Sequence, residues 1–416
     1  MKKQFWTLRY TLINVAYFAA FCTIHAMAAV FLLDKGFTNT QVGILLAVSN
    51  ILSAVCQPVV AGIIDKPGPL TNRRFILAAV TVIALGSVIL MIAGHNRAVI
   101  AIIYALIYMI QFTYMPVTTA LNFEYQKAGC DINYGLARGL GSAGFAVTSA
   151  IIGGIVEKRG VGVLLIVNIA AMVISAIVVF TFRLKNDSVE NEAEAEKVGD
   201  DKEQDDMHHS EAPHNNPIDF AKVYPAFAIF LVATVCFYFA HNMINDFMIQ
   251  IIRSLGGAEK ELGYSNFLQA ILELPVMACI GIVLKKISSD KMLVFSGVAF
   301  FIKSLILVFA TNMTGMYVSQ SFQLFAYAVF IPAAAYYVSS NMSEADQVKG
   351  QAFVTSAITV GGVFSNFISG YILDNFGIKT MLITGAAVAA VGVVIAFIAF
   401  SGKKSRPADT TIAKEV

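Results

Sequence analysis

RFILAAVTVIALGSVILMIAG (Arg74–Gly94) holds, after its opening arginine, twenty residues without a single acid or base. As a helix, twenty residues rise about 30 Å, the thickness of a bilayer's hydrocarbon core. Only helices and closed barrels satisfy every backbone group in lipid. A barrel strand needs about ten residues that alternate in character, whereas this run is apolar on both parities. The stretch therefore reads as a membrane-spanning helix. Outward from it, similar runs recur near 8–33, 40–64, 98–125, 138–157 and 160–182, then near 224–252, 262–284, 291–311, 313–341, 350–373 and 378–401. Arg74–Gly94 is thus the third of twelve spans in two groups of six. The sequence predicts an all-α membrane protein: an N-terminal six-helix bundle (1–182), a linker (183–222), a C-terminal six-helix bundle (223–402) and a tail (403–416).

Composition points the same way. Of 416 residues, 57% are hydrophobic and 13% charged, against about 45–50% and about 25% in soluble domains. A soluble chain of this length could not cover so much apolar surface. Disordered, collagenous and coiled-coil classes are excluded as well. Lys2 and Lys3 before an apolar run, with Ala26-Met27-Ala28 further on, raise a signal-peptide reading. The run continues to Leu33 and contains Asn14 and His25, too long and too polar for such a segment, so an uncleaved first span is expected.

The net charge of +2 conceals an asymmetry: Arg183–Asp219 carries twelve acids and only four bases. A segment this polar cannot bury enough to offset its ordering entropy, and it reads as a solvated linker. Its His208, His209 and His214 are a weak metal candidate beside that plainer reading. Basic residues gather at the termini and even-numbered loops (Lys66, Arg73, Arg74, Lys127, Arg183, Lys285, Lys286). By the positive-inside rule both termini and the linker face the cytoplasm of a cell membrane. The five cysteines stand singly, with no CxxC, so neither a disulfide framework nor a metal site is expected.

The halves repeat weakly. GIVEKRG (Gly154–Gly160) resembles YILDNFG (Tyr371–Gly377), and AGIIDK (Ala61–Lys66) resembles IGIVLK (Ile280–Lys285), at nearly equal offsets. Two six-helix repeats around a central loop imply a transporter with its site at the midplane. No phosphate-cradling GxxxxGK[ST] is present, nor HExxH, nor GxSxG. An enzyme, an ATP-driven pump and a nucleic-acid binder are therefore not expected, and no cofactor is implied. Energy must come from an ion gradient or from the solute's own gradient.

Ionised groups deep in a bilayer are costly, so each is a functional candidate. Arg138, in YGLARGLGSAGF (Tyr134–Phe145), cannot shed its proton and needs an anion or a polar solute beside it. Glu124 is its nearest candidate partner and Asn122 a second. Such a fork could hold a sugar's hydroxyls, or it could snorkel to headgroups and merely close the helix ends. In YFAHNMINDFMIQ (Tyr238–Gln250), Tyr238, Asn242, Asn245 and Asp246 share one helical face, either lining a wet path or gluing helices together. Glu273 lies about ten residues into its span, beyond the reach of snorkelling, just before Pro275, which removes one backbone bond and is expected to kink the helix. It is the candidate proton carrier, with Lys303 as a partner, and Asp246 is the second candidate. His25, Gln57, Gln111, Gln320, Gln323 and Asn366 are lesser polar candidates, each open to a packing role.

On these residues the chain resembles the major facilitator superfamily and, within it, the lactose-permease-like oligosaccharide:proton symporters. CQPVVAGIIDKPG (Cys56–Gly68) is similar to the end of the family's helix 2 and its signature loop. The resemblance implies that Asp65, Lys66, Arg73 and Arg74 gate the cytoplasmic ends, with Asp65 latching Arg73, although Pro67 and a longer loop depart from the motif. YGLARGLGSAGF resembles helix 5, which gives Arg138 the sugar-binding arginine and Phe145 the aromatic that stacks on the sugar, a tryptophan in the lactose permease. GYILDNFG (Gly370–Gly377) resembles the end of helix 11. The permease's acid–lysine pairs fall at neutral Asn242, Asn245, Gln320 and Ile358 here. Its helix-10 histidine and proton-carrying glutamate fall at Gln323 and Ala326. That proton route is therefore not carried over, and coupling rests on Glu273, Asp246 or Glu124. The expectation is a monomeric secondary transporter of a sugar or oligosaccharide, driven by protons. A nucleoside or drug carrier, an uncoupled facilitator, or a non-transporting membrane sensor are the alternatives.

Overall fold

The computed structural model describes residues 5–66, 68–94, 96–183, 217–284 and 286–401. Most of the acidic linker, with its three histidines, lies outside the described residues, as do Pro67, Lys285 and the tail. Every regular element among the described residues is helical.

The first passage is α1 (Trp6–Phe21), a π-helical turn (Cys22–Ala26) and α2 (Ala28–Asp34). Then come α3 (Asn39–Ile64), α4 (Asn72–Ile92), α5 (Arg97–Lys127), α6 (Tyr134–Arg159) and α7 (Gly162–Thr181). Their starts are written in the sequence. The side chains of Thr71, Asn96 and Asn133 each accept the backbone N–H three residues on, the usual remedy for orphan donors at a helix start. Gly160, at φ +81°, ends α6 in a backbone conformation that glycine tolerates best.

In the second half, the short α8 (Pro217–Val223) occupies the end of the expected linker. Next are α9 (Pro225–Asp246), α10 (Met248–Ser254), α11 (Glu259–Leu284) and α12 (Ser289–Phe309). α13 (Met313–Ser321), a 3-10 turn (Phe322–Leu324) and α14 (Tyr327–Asn341) form one broken passage. α15 (Glu344–Ser401) is turned at Gly377, φ +80°, into two arms. Among the described residues ten segments are long and apolar enough to cross a membrane, and the 58-residue α15 is one of them. The 26-residue α11 has the length to cross too. Spans expected as continuous at 8–33, 224–252 and 313–341 are therefore interrupted, at 22–27, at Phe247 and at 322–326.

The described residues of Met1–Gly36 and Ser49–His209 form one compact unit, and those of Phe37–Val48 and Ser210–Val416 form another. The first ten residues of α3 thus pack with the second half of the chain, whereas the rest pack with the first.

In the first unit α1 lies on α6 and α7, and α4 on α5 and α7. Its core contains a polar chain in which Gln111 Nε2 donates to Asn168 Oδ1 (3.0 Å) and Asn168 Nδ2 donates to Ser87 Oγ (2.7 Å). The second unit packs α9 and α12 on α15 around Phe227, Phe230, Phe237, Phe300 and Phe330. Outward faces keep residues such as Leu85, Ile92, Ile102, Phe180 and Val391 exposed. On a soluble protein such apolar cover would drive association, but in lipid it is the solvated surface.

Candidate functional site

The second turn of α6 carries Arg138. Its Nη1 donates to Ser142 Oγ one turn on (3.1 Å), and its guanidinium lies 4.4 Å from the centre of the Phe18 ring. Among the described residues no carboxylate stands within ion-pair distance of it. Gly141 allows this approach of α1 to α6, because a Cβ there would come within 2.8 Å of the Phe18 ring. From Phe18 an aromatic wall continues. Phe21 is 6.4 Å from Phe18, 5.5 Å from Phe112 and 6.4 Å from Phe145, between ring centres. His25, at the π-turn, stacks on Phe21 (4.0 Å, 12°) and lies 3.9 Å from Tyr108. Both His25 ring nitrogens are buried without a hydrogen-bond partner. π-turns of this kind are frequent at functional positions.

The expected Arg138–Glu124 contact does not form. Glu124 is exposed and accepts from Asn72 Nδ2 (2.8 Å). Residues two apart on a helix point to different faces, so Glu124 and Asn122 could not both serve Arg138. Asn122 is the one that faces inward: it is fully buried, and both its amide atoms lack a partner. An unsatisfied buried amide calls for water or a ligand.

The second unit holds the other group. Gln323, in the 3-10 turn, bridges two charged side chains. Its Nε2 donates to Glu273 Oε1 (3.0 Å) and its Oε1 accepts from Lys303 Nζ (2.8 Å). Lys303 is 1% exposed. The expected partnership of Glu273 with Lys303 is thus indirect, through an amide whose two ends match the two charges. On α9, Asn245 Nδ2 pairs with His241 Nε2 (2.9 Å), and His241 stacks on Tyr327 (5.5 Å, 15°). The Tyr238 hydroxyl, Asn245 Oδ1, His241 Nδ1 and the whole Gln320 amide are buried without partners. Asn242 abuts Gly362, where a Cβ would come within 2.8 Å of its Nδ2. Asp246, half-buried, closes α9 beside Asn366. The structure therefore brings Glu273 and Gln323 together and sets Asn242, Asn245 and Asp246 along one helix.

At the expected gate the residues separate. Arg73 donates from Nε to Val179 O (3.1 Å) and from Nη2 to Phe180 O (2.9 Å), and Arg9 Nη1 reaches Thr181 O (3.1 Å). Two cations thus dress the C-terminal carbonyls of α7, a favourable place for positive charge. Arg74 Nη1 donates to Pro69 O (2.5 Å). Asp65 and Lys66 are exposed and make no side-chain hydrogen bond or ion pair among the described residues. The expected Asp65–Arg73 latch is not among the contacts of the described residues, and Arg73 Nε and Nη2 go to the α7 carbonyls instead.

A tighter contact lies where none was expected. Asp374 Oδ1 accepts from Asn39 N (3.2 Å) and Nδ2 (2.8 Å), and its Oδ2 accepts from Thr40 N (2.7 Å) and Oγ1 (2.6 Å). A carboxylate at the start of α3 meets both free N–H groups and the positive end of the helix dipole. Gln250 Nε2 adds a bond to Asn39 Oδ1 (2.8 Å). The segment is the repeat YILDNFG (Tyr371–Gly377), whose spacing alone predicts no partner for its aspartate.

The sequence profile of the MFS_1 like family matches residues 6–384. Among curated proteins none matches the sequence. Among solved structures the chain is similar to the nucleoside transporter NupG, at 14% identity and a TM-score of 0.76, over 97% of this chain and 100% of that one. It is also similar to a bacterial homolog of the human lysosomal transporter Spinster, in an inward-facing and unoccupied conformation. That likeness is 11% identical with a TM-score of 0.66, over 95% of this chain and 96% of the other. With a family match across nearly its whole length, a helical fold and membrane-length apolar helices, the chain belongs to the MFS_1 like family and is a multi-pass membrane transporter of the major facilitator fold, not an enzyme.

Proposed function

We propose that this transporter carries a sugar or oligosaccharide by alternating access, in symport with protons, in a cell membrane with both termini cytoplasmic. The observation that carries the reading is Arg138. A guanidinium with one hydroxyl and one aromatic face for company, and no carboxylate among the described residues, keeps donors free for a solute rich in acceptors. Phe145 and its neighbours offer the apolar wall on which a pyranose lies, and Asn122 and His25 bring unsatisfied polar atoms. Asn242, Asn245, Gln320 and Gln323 are the hydroxyl-binding candidates of the second unit. Glu273 and Asp246 are the carboxyls that carry the proton. Asp65, Lys66, Arg73 and Arg74 act at the cytoplasmic ends of their helices, with Arg73 working through α7.

A second reading is a nucleoside carrier. His25 stacked on Phe21 beside Phe112 and Tyr108 is a platform that a planar base would fit as well as a sugar ring. The test is uptake by proteoliposomes of labelled mono- and disaccharides and of uridine and adenosine, under an imposed proton gradient and with a pH dye outside. Sugar uptake with external alkalinisation is the expected result. Uptake of nucleosides alone replaces the first reading by the second, and uptake without alkalinisation removes the proton.

A further inference from the structure

The passage α13–α14 is broken at 322–326 with no proline or glycine at the break. One backbone group at the break takes a bond from α12, and a side chain of α13 in turn bonds the backbone of α12. Ser296 Oγ donates to Ala326 O (2.9 Å), and Ser319 Oγ donates to Lys303 O (2.7 Å). Lys303 therefore touches the passage before the break, by its carbonyl to Ser319, and the break itself, by its ammonium to Gln323. Gln323 in turn holds Glu273 on α11. An amide between a cation and a carboxylate has one favourable orientation, oxygen to the cation and N–H to the anion. Neutralising either charge removes the reason for that orientation. A buried charge left without its counterpart is also far costlier than the pair.

We propose that Lys303 is a positioning residue for coupling: through Gln323 it ties the charge of Glu273 to the shape of the helix break at 322–326. When Glu273 takes up a proton, its carboxylate charge vanishes and Gln323 loses its anionic anchor. Lys303 Nζ is then the one ion left of the Lys303–Gln323–Glu273 set, and the turn that Gln323 belongs to is free to rearrange. The other titratable groups facing this chain are Tyr238, which lies near Glu273, and His241, which lies near Lys303, both on α9. Tyr327 on α14 stacks on His241. The inference rests on proton symport as read above, yet it can be tested without any solute.

The experiment is infrared pH-difference spectroscopy on the full chain in lipid. The band to follow is the protonated-carboxyl stretch that Glu273→Gln removes. The expected result is that Lys303→Met moves the midpoint of this band by more than one pH unit and alters the amide bands of the same spectrum, whereas Lys303→Arg restores both. An unmoved midpoint in Lys303→Met overturns the inference. So does a midpoint that moves with no amide change, since charge and backbone would then be independent. Should Lys303→Met fold poorly, the charge-balanced double variant Lys303→Met/Glu273→Gln takes its place. It is expected to fold with the amide bands insensitive to pH, and amide bands as pH-sensitive as in the parent overturn the inference. Failure of the solute assay leaves this result standing, so the two claims fall separately.

Discussion

The two ends of α3 are held in opposite ways. At its start, two backbone N–H groups, an amide and a hydroxyl converge on Asp374, and two glycines let backbone meet backbone. A Cβ on Gly43 would stand 2.1 Å from Asn366 O, and one on Gly370 would stand 2.3 Å from Asn39 O. At its other end Gly62 has nothing within 4 Å, and Asp65 is exposed. The division of the described residues into units falls within this helix, after Val48. One helix is thus clamped where its dipole is positive and open where it is negative. A resemblance to a gating motif had placed the important carboxylate at the open end. The physics of an orphaned helix start places it at the clamped one.

The largest test removes the room at the clamp. Gly370→Val puts a branched side chain where Asn39 O already sits, and backbone cannot yield as a side-chain tip does. The expected cost is about 3 kcal/mol or more, read as a lower melting temperature in detergent. In the same variant, amide exchange over 37–48 should rise to that of 56–66. If both readouts match the parent, the close approach at Gly370 is not what secures α3.

Asp374→Ala is expected next, at about 2 kcal/mol. Bonds to a charged acceptor are the stronger kind, and the exposure of this one trims them. Asp374→Asn should fall between the parent and the alanine variant, since one amide oxygen still accepts while the NH2 opposes the Thr40 donors. Gln250→Leu, which removes one neutral bond to Asn39, is expected to cost about 1 kcal/mol. Equal melting of all three variants would mean that the glycines alone make the clamp.

How much of this was legible depends on what each feature needs. The membrane-length apolar helices follow from length and apolarity, properties that any window of sequence carries. Arg138 was legible as an oddity because an arginine in a span has few bland explanations. Its company was not, since a serine one turn on and a phenylalanine of α1 are neutral and carry no charge pattern that would mark them. The breaks at 22–27, Phe247 and 322–326 were not legible because none of them carries proline or glycine. A tertiary bond, from Ser296 to the Ala326 carbonyl, meets the last of them. Asp374 and Asn39 lie more than 300 residues apart, so their contact is a matter of folding and not of local pattern. A helix start with asparagine and threonine, facing a repeated acidic motif, was the signal available.

The smallest predicted effect is the one that most sharpens the contrast. Asp65→Asn removes a charge at the open end of α3, where the side chain makes no bond among the described residues. Its effect on stability should stay within about 0.5 kcal/mol, as for most exposed substitutions. Exchange over 37–48 should not change at all, since no bond links Asp65 to that end. Arg73→Gln is the control on the same side. It strips charged donors from the Val179 and Phe180 carbonyls and should lower stability by about 1 kcal/mol. If Asp65→Asn instead destabilised the protein as much as Asp374→Asn, both ends of α3 would be fastened alike. The asymmetry would then belong to hydrogen-bond geometry and not to energy.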